Sequence, residues 1–270
     1  IKGNKEYFCT LNMRISIVQN APVKGDWQSN LSDLDNLIGG GCGADIYVLP
    51  EMFATGYLPL HPESAAEDFS CDSAGETAHF LHQLANRTGC AVMGAGISVK
   101  NACDIRTAPL TNHSSVYMPG NATEYAHYDK RKPFFMEQGK FCAGDNINLF
   151  KINEWTIAPT ICFDLRFPEL YRDAVKAGAN LFTVQAAWPE ARTNHWNTLL
   201  KARAIENQAY VAAVNCVSPD GKYTGNSQII NPQGEVIAQA ESGKECVISA
   251  SLDMESLLKY RKVFPVLKEI

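Results

Sequence analysis

Short apolar runs alternate with stretches whose apolar residues recur every three or four positions, and this alternation persists almost to the end of the chain. A chain so built must cover sheets with helices, because neither element can bury its apolar face alone. Arg14–Asn20 and Asp45–Leu49 read as buried strands. Between them Leu31, Leu34, Leu37 and Ile38 share one helical face, which Gly39–Gly41 ends. Ser73-x-x-Glu76 has the spacing of a capping box, opening a helix with Phe80, Leu81 and Leu84 that stops at Gly89. Strands are expected at about 90–99, 113–118 and 123–128, the last two joined through a Pro-Gly-Asn turn. Ile147–Ile152 and Trp155–Ile161 form a second hairpin pattern, and Pro168 suits the first turn of a helix ending at Gly178. Leu181–Gln185, a helix at 194–207 carrying Trp196, Leu199 and Leu200, strands at Tyr210–Cys216, Ser227–Ile230, Glu235–Ala240 and Cys246–Ser251, and a helix at about 253–261 complete the pattern. The expected fold class is α/β (α+β), with mixed sheets, helices on the outer faces, and no linker dividing the chain.

Composition narrows the partners. The 270 residues are 46% hydrophobic and 20% charged, with net charge −5 and no basic block. That balance argues against nucleic acid or an anionic membrane surface as partner. No apolar run approaches the roughly 18 residues of a spanning helix. The nine cysteines are scattered without Cys-x-x-Cys spacing, so zinc and dithiol readings fail, and abundant unpaired thiols point to the cytoplasm. No Gly-x-Gly-x-x-Gly or P-loop is present, and no cofactor is expected.

Three reactive residues stand just beyond buried runs: Glu51 after Tyr-Val-Leu-Pro, Lys130 after Tyr-Ala-His-Tyr-Asp, and Cys162 after Ile-Ala-Pro-Thr-Ile. Strand ends hold side chains rigidly at the edge of clefts. Singly, a strand-terminal Glu or Lys is ordinarily a solvated charge, and a buried Cys is inert. Together they supply a base, a cation and a nucleophile. A thiol of ordinary pKa near 8.5 is only slightly ionised at neutral pH and needs a base, which Glu51 provides. Lys130 and the backbone N–H of Phe163 are suited to an oxyanion. A Cys–His pair is the competing arrangement, but His79 and His82 fall on the solvent-type face of their helix, His61 precedes a proline, and His195 sits at a helix start.

The segments around these residues resemble the nitrilase superfamily of carbon–nitrogen hydrolases. They are Leu49-Pro-Glu-Met-Phe-Ala-Thr-Gly56, Tyr128-Asp-Lys-Arg-Lys-Pro-Phe134 and Ile161-Cys-Phe-Asp-Leu-Arg-Phe-Pro-Glu-Leu170, followed by the run from His195 to Tyr210 and by Asn231-Pro-Gln-Gly-Glu235. The resemblance implies an αββα sandwich, a Glu–Lys–Cys triad at Glu51, Lys130 and Cys162, and a supporting glutamate at Glu137. It implies a homodimer or larger homo-oligomer. It gives one carbon–nitrogen hydrolase domain at 13–270, with residues 1–12 an appended N-terminal segment. Two departures matter. Lys130-Arg-Lys-Pro-Phe replaces the common Lys-x-His-Leu-Phe, and Phe163-Asp164 replaces the Trp-Glu of true nitrilases, which favours amides over nitriles.

Ala187-Trp-Pro189, Arg192 and the His-Trp-x-x-Leu-Leu helix are similar to the bacterial omega-amidase branch. This implies a small amide substrate bearing a carboxylate, of the 2-oxoglutaramate or 2-oxosuccinamate type, cleaved through a Cys162 thioester. Arg192 is the candidate for that carboxylate, Trp188 either walls the pocket or packs in the core, and Arg166 is expected to be a structural ion-pair partner. The alternatives are another specificity within the superfamily (deaminated glutathione, an N-carbamoyl amine or a nitrile) or a non-catalytic scaffold on the same fold.

Overall fold

The computed structural model describes residues 12–41, 43–99 and 109–270. The first apolar runs become parallel neighbours: β1 (Asn12–Gln19), β2 (Ile46–Val48) and β3 (Ala91–Val99). Helices α1 (Trp27–Ile38) and α2 (Glu76–Thr88) connect them, since parallel strands require a crossover. The hairpin β4 (Leu110–Tyr117) and β5 (Ala126–Asp129) extends one edge of this sheet, and β12 (Cys246–Asp253) pairs antiparallel with β1 at the other.

The second sheet repeats the plan. Strands β7 (Trp155–Ile161), β8 (Leu181–Ala186) and β9 (Tyr210–Asn215) are parallel, joined through α3 (Pro168–Lys176) and α4 (Thr193–Asn207). Antiparallel β6 (Phe150–Ile152) flanks β7, while β10 (Gln228–Ile230) and β11 (Val236–Gln239) flank β9. Helix α5 (Met254–Val263) follows the last strand.

The two sheets face each other. Ile15, Ile17, Val48 and Met93 of the first share a buried cluster with Ile157, Leu181, Val214 and Ile229 of the second. Outside, Leu34, Leu81 and Leu84 pack on Tyr47, Leu49 and Val92, and Tyr171, Trp196 and Leu200 pack on Phe182, Val184 and Val211. The order is helix, sheet, sheet, helix: the αββα sandwich. Each fully buried aliphatic or Phe side chain contributes about 1.5–3 kcal/mol. Among the described residues no helix is long and apolar enough to cross a membrane.

Several local expectations are corrected. The Ser73–Glu76 capping box is not formed: α2 is capped at Gly75, and Oε2 of the buried Glu67 accepts the N–H of Thr77 at 2.9 Å instead. A Cβ on Gly75 would stand 2.0 Å from that Oε2, so only glycine admits the carboxylate. His82 is buried rather than solvent-facing, held by Asp72 and Asn86 at 2.9 Å each. Strand β4 begins at Leu110 rather than 113, in register with Val99. Strand β6 begins only at Phe150, so β7 is unpaired on that side at Pro159, where a residue without an N–H is tolerated. Of residues 1–12, expected to precede the domain, only Asn12 lies within the described residues, and it opens β1.

Candidate active site

Each reactive residue follows a strand, buried for Glu51 and Cys162 but only partly buried at the sheet edge for Lys130, and the strands belong to different sheets. Glu51 follows β2 and Lys130 follows β5 on one sheet, while Cys162 follows β7 on the other. The chain turns sharply at Cys162, which has φ 45° and opens a 3-10 turn, Cys162–Arg166. A non-glycine residue in that left-handed region costs of order 1–3 kcal/mol and persists only where its surroundings fix it.

The side chains converge in a dry interior. Glu51, Lys130 and Glu137 are buried, and Cys162 is 8% exposed. Lys130 Nζ donates to Glu51 Oε1 at 2.7 Å and to Glu137 Oε1 at 2.9 Å. Glu51 Oε2 accepts the N–H of Ala187 at 2.9 Å, and Glu137 Oε2 accepts the N–H of Phe134 at 2.6 Å. The Cys162 thiol feels the charges of Glu51, Lys130 and Glu137. Its pKa is pushed well up, first by burial and then by the Glu51 charge, with Lys130 opposing. Burial alone would lower Lys130, but Glu51 and Glu137 more than offset it and hold the ammonium charged.

Sequence reading missed two polar residues. Asn112 of β4 donates its Nδ2 to Glu51 Oε1 at 2.7 Å and to Glu137 Oε1 at 2.9 Å, duplicating the lysine's contacts. Asp164 is buried beneath the nucleophile turn, and burial raises its pKa to about 6 against the donors that surround it. The signal for Asn112 was present: Thr111, Asn112, His113, Ser114 and Ser115 are consecutive polar residues in a strand buried throughout.

The cavity over Cys162 encloses about 130 Å³ and opens to solvent. Trp188 forms part of its wall and also packs on Trp196, with ring centroids 5.6 Å apart. Its indole N–H donates to the Arg192 carbonyl at 2.8 Å. Arg192 lines the same cavity, its guanidinium 5.9 Å from the Phe134 ring centroid. Arg166 is not the ion-pair partner expected from its acidic neighbours. The 3-10 turn aims it into the cavity, with its guanidinium 4.6 Å from the Trp188 ring centroid and near His195. Burial and the charge of Arg192 both lower its pKa. Lys24 and Lys222 complete four cationic side chains in a lining that contains no carboxylate. The ring of Phe163 packs edge-on against Phe134 and Phe167. Among the described residues no group of three His, Cys, Asp or Glu could hold a metal ion.

Residues 14–262 match the carbon–nitrogen hydrolase family model. The chain is 35% identical over 258 residues to omega-amidase YafV of Escherichia coli, covering 94% of each. It is 31% identical to a 2-oxoglutaramate amidase of Bacillus subtilis, covering 84% of this chain and 85% of that protein. Among solved structures, XC1258 of Xanthomonas campestris, a CN-hydrolase superfamily protein with an arsenic adduct in its active site, superposes with a TM-score of 0.84. Its sequence is 29% identical, covering 96% of this chain and 97% of its own. Saccharomyces cerevisiae Nit3, a nitrilase-superfamily member 22% identical, shares the fold at a TM-score of 0.81 over 94% of this chain and of its own. The fold, the matched span and these relatives agree: the chain belongs to the carbon–nitrogen hydrolase family.

Proposed function

We propose that this protein hydrolyses the terminal amide of a small carboxylate-bearing substrate, of the 2-oxoglutaramate or 2-oxosuccinamate type, to an acid and ammonia through a Cys162 thioester. The observation that carries the reading is a buried carboxylate clamped by the Lys130 ammonium, with the buried Cys162 thiol close enough to feel both charges. In the mechanism, Glu51 takes the thiol proton as sulfur attacks the amide carbon. Lys130 and the Phe163 N–H stabilise the oxyanion, an interaction worth about 3–4 kcal/mol per well-aimed donor. Collapse breaks the C–N bond, and the proton held by Glu51 leaves with ammonia. Glu51 then takes a proton from water, which attacks the thioester; the C–S bond breaks to release the acid, and Glu51 returns that proton to the Cys162 sulfur. Glu137 keeps Lys130 aimed at the reacting centre.

The charge of the cavity supports the substrate class. Arg166 and Arg192 lie close enough to repel, with no protein anion between them, an arrangement relieved by a substrate carboxylate. The relatives named as omega-amidase and 2-oxoglutaramate amidase point the same way.

The decisive experiment ranks purified enzyme on 2-oxoglutaramate, 2-oxosuccinamate, deaminated glutathione, an N-carbamoyl amine and a nitrile. The first two should lead in kcat/KM. Preference for any of the others overturns the assignment. Cys162→Ala should release no ammonia while keeping its circular dichroism spectrum, and the wild type quenched in turnover should carry an acyl mass on Cys162. Arg166→Met or Arg192→Met should lower kcat/KM on 2-oxoglutaramate about 10–100-fold, the value of a charge-assisted hydrogen bond. An uncharged amide of similar length should lose little. Equal losses on both would remove the arginines from carboxylate binding.

A further inference from the structure

Asp164 takes no part in the steps above, yet it touches both halves of the site. Its Oδ2 accepts the N–H of Ile161 at 3.0 Å and the hydroxyl of Tyr128 at 2.8 Å, and its Oδ1 accepts the N–H of Lys132 at 2.9 Å. Ile161 ends β7 and immediately precedes the nucleophile. Tyr128 and Lys132 stand two residues before and two after Lys130. One buried carboxylate thus binds the turn that presents the sulfur to both flanks of the segment that presents the ammonium. These segments come from different sheets, so the carboxylate is a directional tie across the sheet interface at the site itself.

We propose that Asp164 is a positioning residue that fixes the Cys162 sulfur relative to the Lys130 ammonium and holds Cys162 in its left-handed backbone. Its meaning rests on the proposed thioester chemistry, though its contacts do not. The chemistry of the three donors explains why an aspartate stands there. Two N–H groups and one hydroxyl converge on two oxygens, and a carboxylate offers only acceptors. Asparagine has the same size but a single acceptor oxygen. Turned either way, its NH₂ faces Ile161 and Tyr128 or faces Lys132, and at least one backbone N–H loses its partner. The hydroxyl of Tyr128 can reverse and accept, whereas a backbone N–H cannot. A role confined to filling space would tolerate that exchange.

Three readouts on full-length protein test this: kcat and KM on a primary amide, the rate of Cys162 carbamidomethylation by iodoacetamide followed by intact mass, and the melting temperature. Asp164→Asn should lower kcat about 100-fold with KM within threefold, because misplacing reacting atoms by an ångström costs about that much. It should slow Cys162 labelling at least tenfold in protein still folded at the assay temperature. Tyr128→Phe removes one of the three contacts and should lower kcat about three- to tenfold. It serves as the deciding variant if Asp164→Asn does not fold. A kcat and labelling rate within threefold of wild type in Asp164→Asn overturns the proposal, as does an unfolded Asp164→Asn paired with a fully active Tyr128→Phe. A raised KM with unchanged kcat also overturns it. Labelling needs no substrate. If wild type labels fast but turns over no amide, the amidase reading fails, and Asp164 is judged on the labelling ratio alone.

Discussion

At the scale of single residues, the amide of Asn112 shows how the site manages two carboxylates and one cation. Both Glu51 and Glu137 present an Oε1 to Lys130, and both need a further donor. Asn112 supplies it from one NH₂ group, while its own Oδ1 is buried with no hydrogen-bond partner among the described residues. Leaving that oxygen unsatisfied costs about 1–3 kcal/mol, so the residue is retained for its donors. Asn112→Asp would set a third carboxylate against the other two. It should reduce kcat/KM by about 100-fold or more, with secondary structure intact by circular dichroism. An active Asn112→Asp enzyme would mean that the pair of glutamates is held by Lys130 alone. Glu51 and Cys162 were legible because each breaks an apolar run at its end, and Lys130 because it closely follows a strand pattern. Glu137 was legible only through resemblance, and Asp164 was read as a mark of amide preference rather than as a brace. Arg166 was misread because acids beside it in sequence suggested a partner, whereas a 3-10 turn displays neighbours on different sides.

Among elements, long periodic segments were readable and their ends were not. The face of α1 and the proline that opens α3 are local signals, so both helices stand where the pattern put them. The cap of α2 comes from Glu67, outside the helix and its flanking turn, and no local pattern contains it. The β4–β5 hairpin hides a similar non-local device. His113 is buried, with Nδ1 on Asp129 and Nε2 on Glu124 at 2.8 Å each, and His127 stacks against it. Burial would lower the pKa of His113, but the two carboxylates outweigh it and raise it to about 9. An imidazolium favoured in the folded state adds stability below its unfolded value near 6.5, and that gain is lost as pH rises through about 9. The lowered pKa values of Glu124 and Asp129 act at the other end, adding stability above about 4.5 that falls away in acid. Melting temperature should therefore decline between pH 6.5 and 9.5 in wild type. His113→Gln should flatten that slope while lowering the plateau. An unchanged slope in the variant would show that other groups set the alkaline limb.

Across the whole molecule, the proposed catalytic set exists only while two sheets keep their register, since each contributes part of it. Apolar packing presses the sheets together without fixing how they slide. Directional ties do that, and two buried glutamines supply them. Gln185 of β8 donates to the Leu49 carbonyl at 2.7 Å and accepts from the Ser114 hydroxyl, just below the place where Ala187 holds Glu51. Gln19 of β1 accepts from Ser227 and donates to the carbonyls of Glu241 and Lys244, away from the reactive residues. Both are fully buried, so replacing either with leucine strands polar groups in the interior. Each variant should lose about 2–3 kcal/mol of unfolding free energy in urea. The two should differ in catalysis. Gln185→Leu loosens the backbone two residues before Glu51 and should lower kcat about tenfold beyond any loss of folded protein, whereas Gln19→Leu should keep kcat within twofold. Equal effects on kcat would mean that sheet register matters as a whole rather than at the tie beneath the carboxylate. Unchanged kcat in both would locate the control of geometry in the local braces around Cys162 instead.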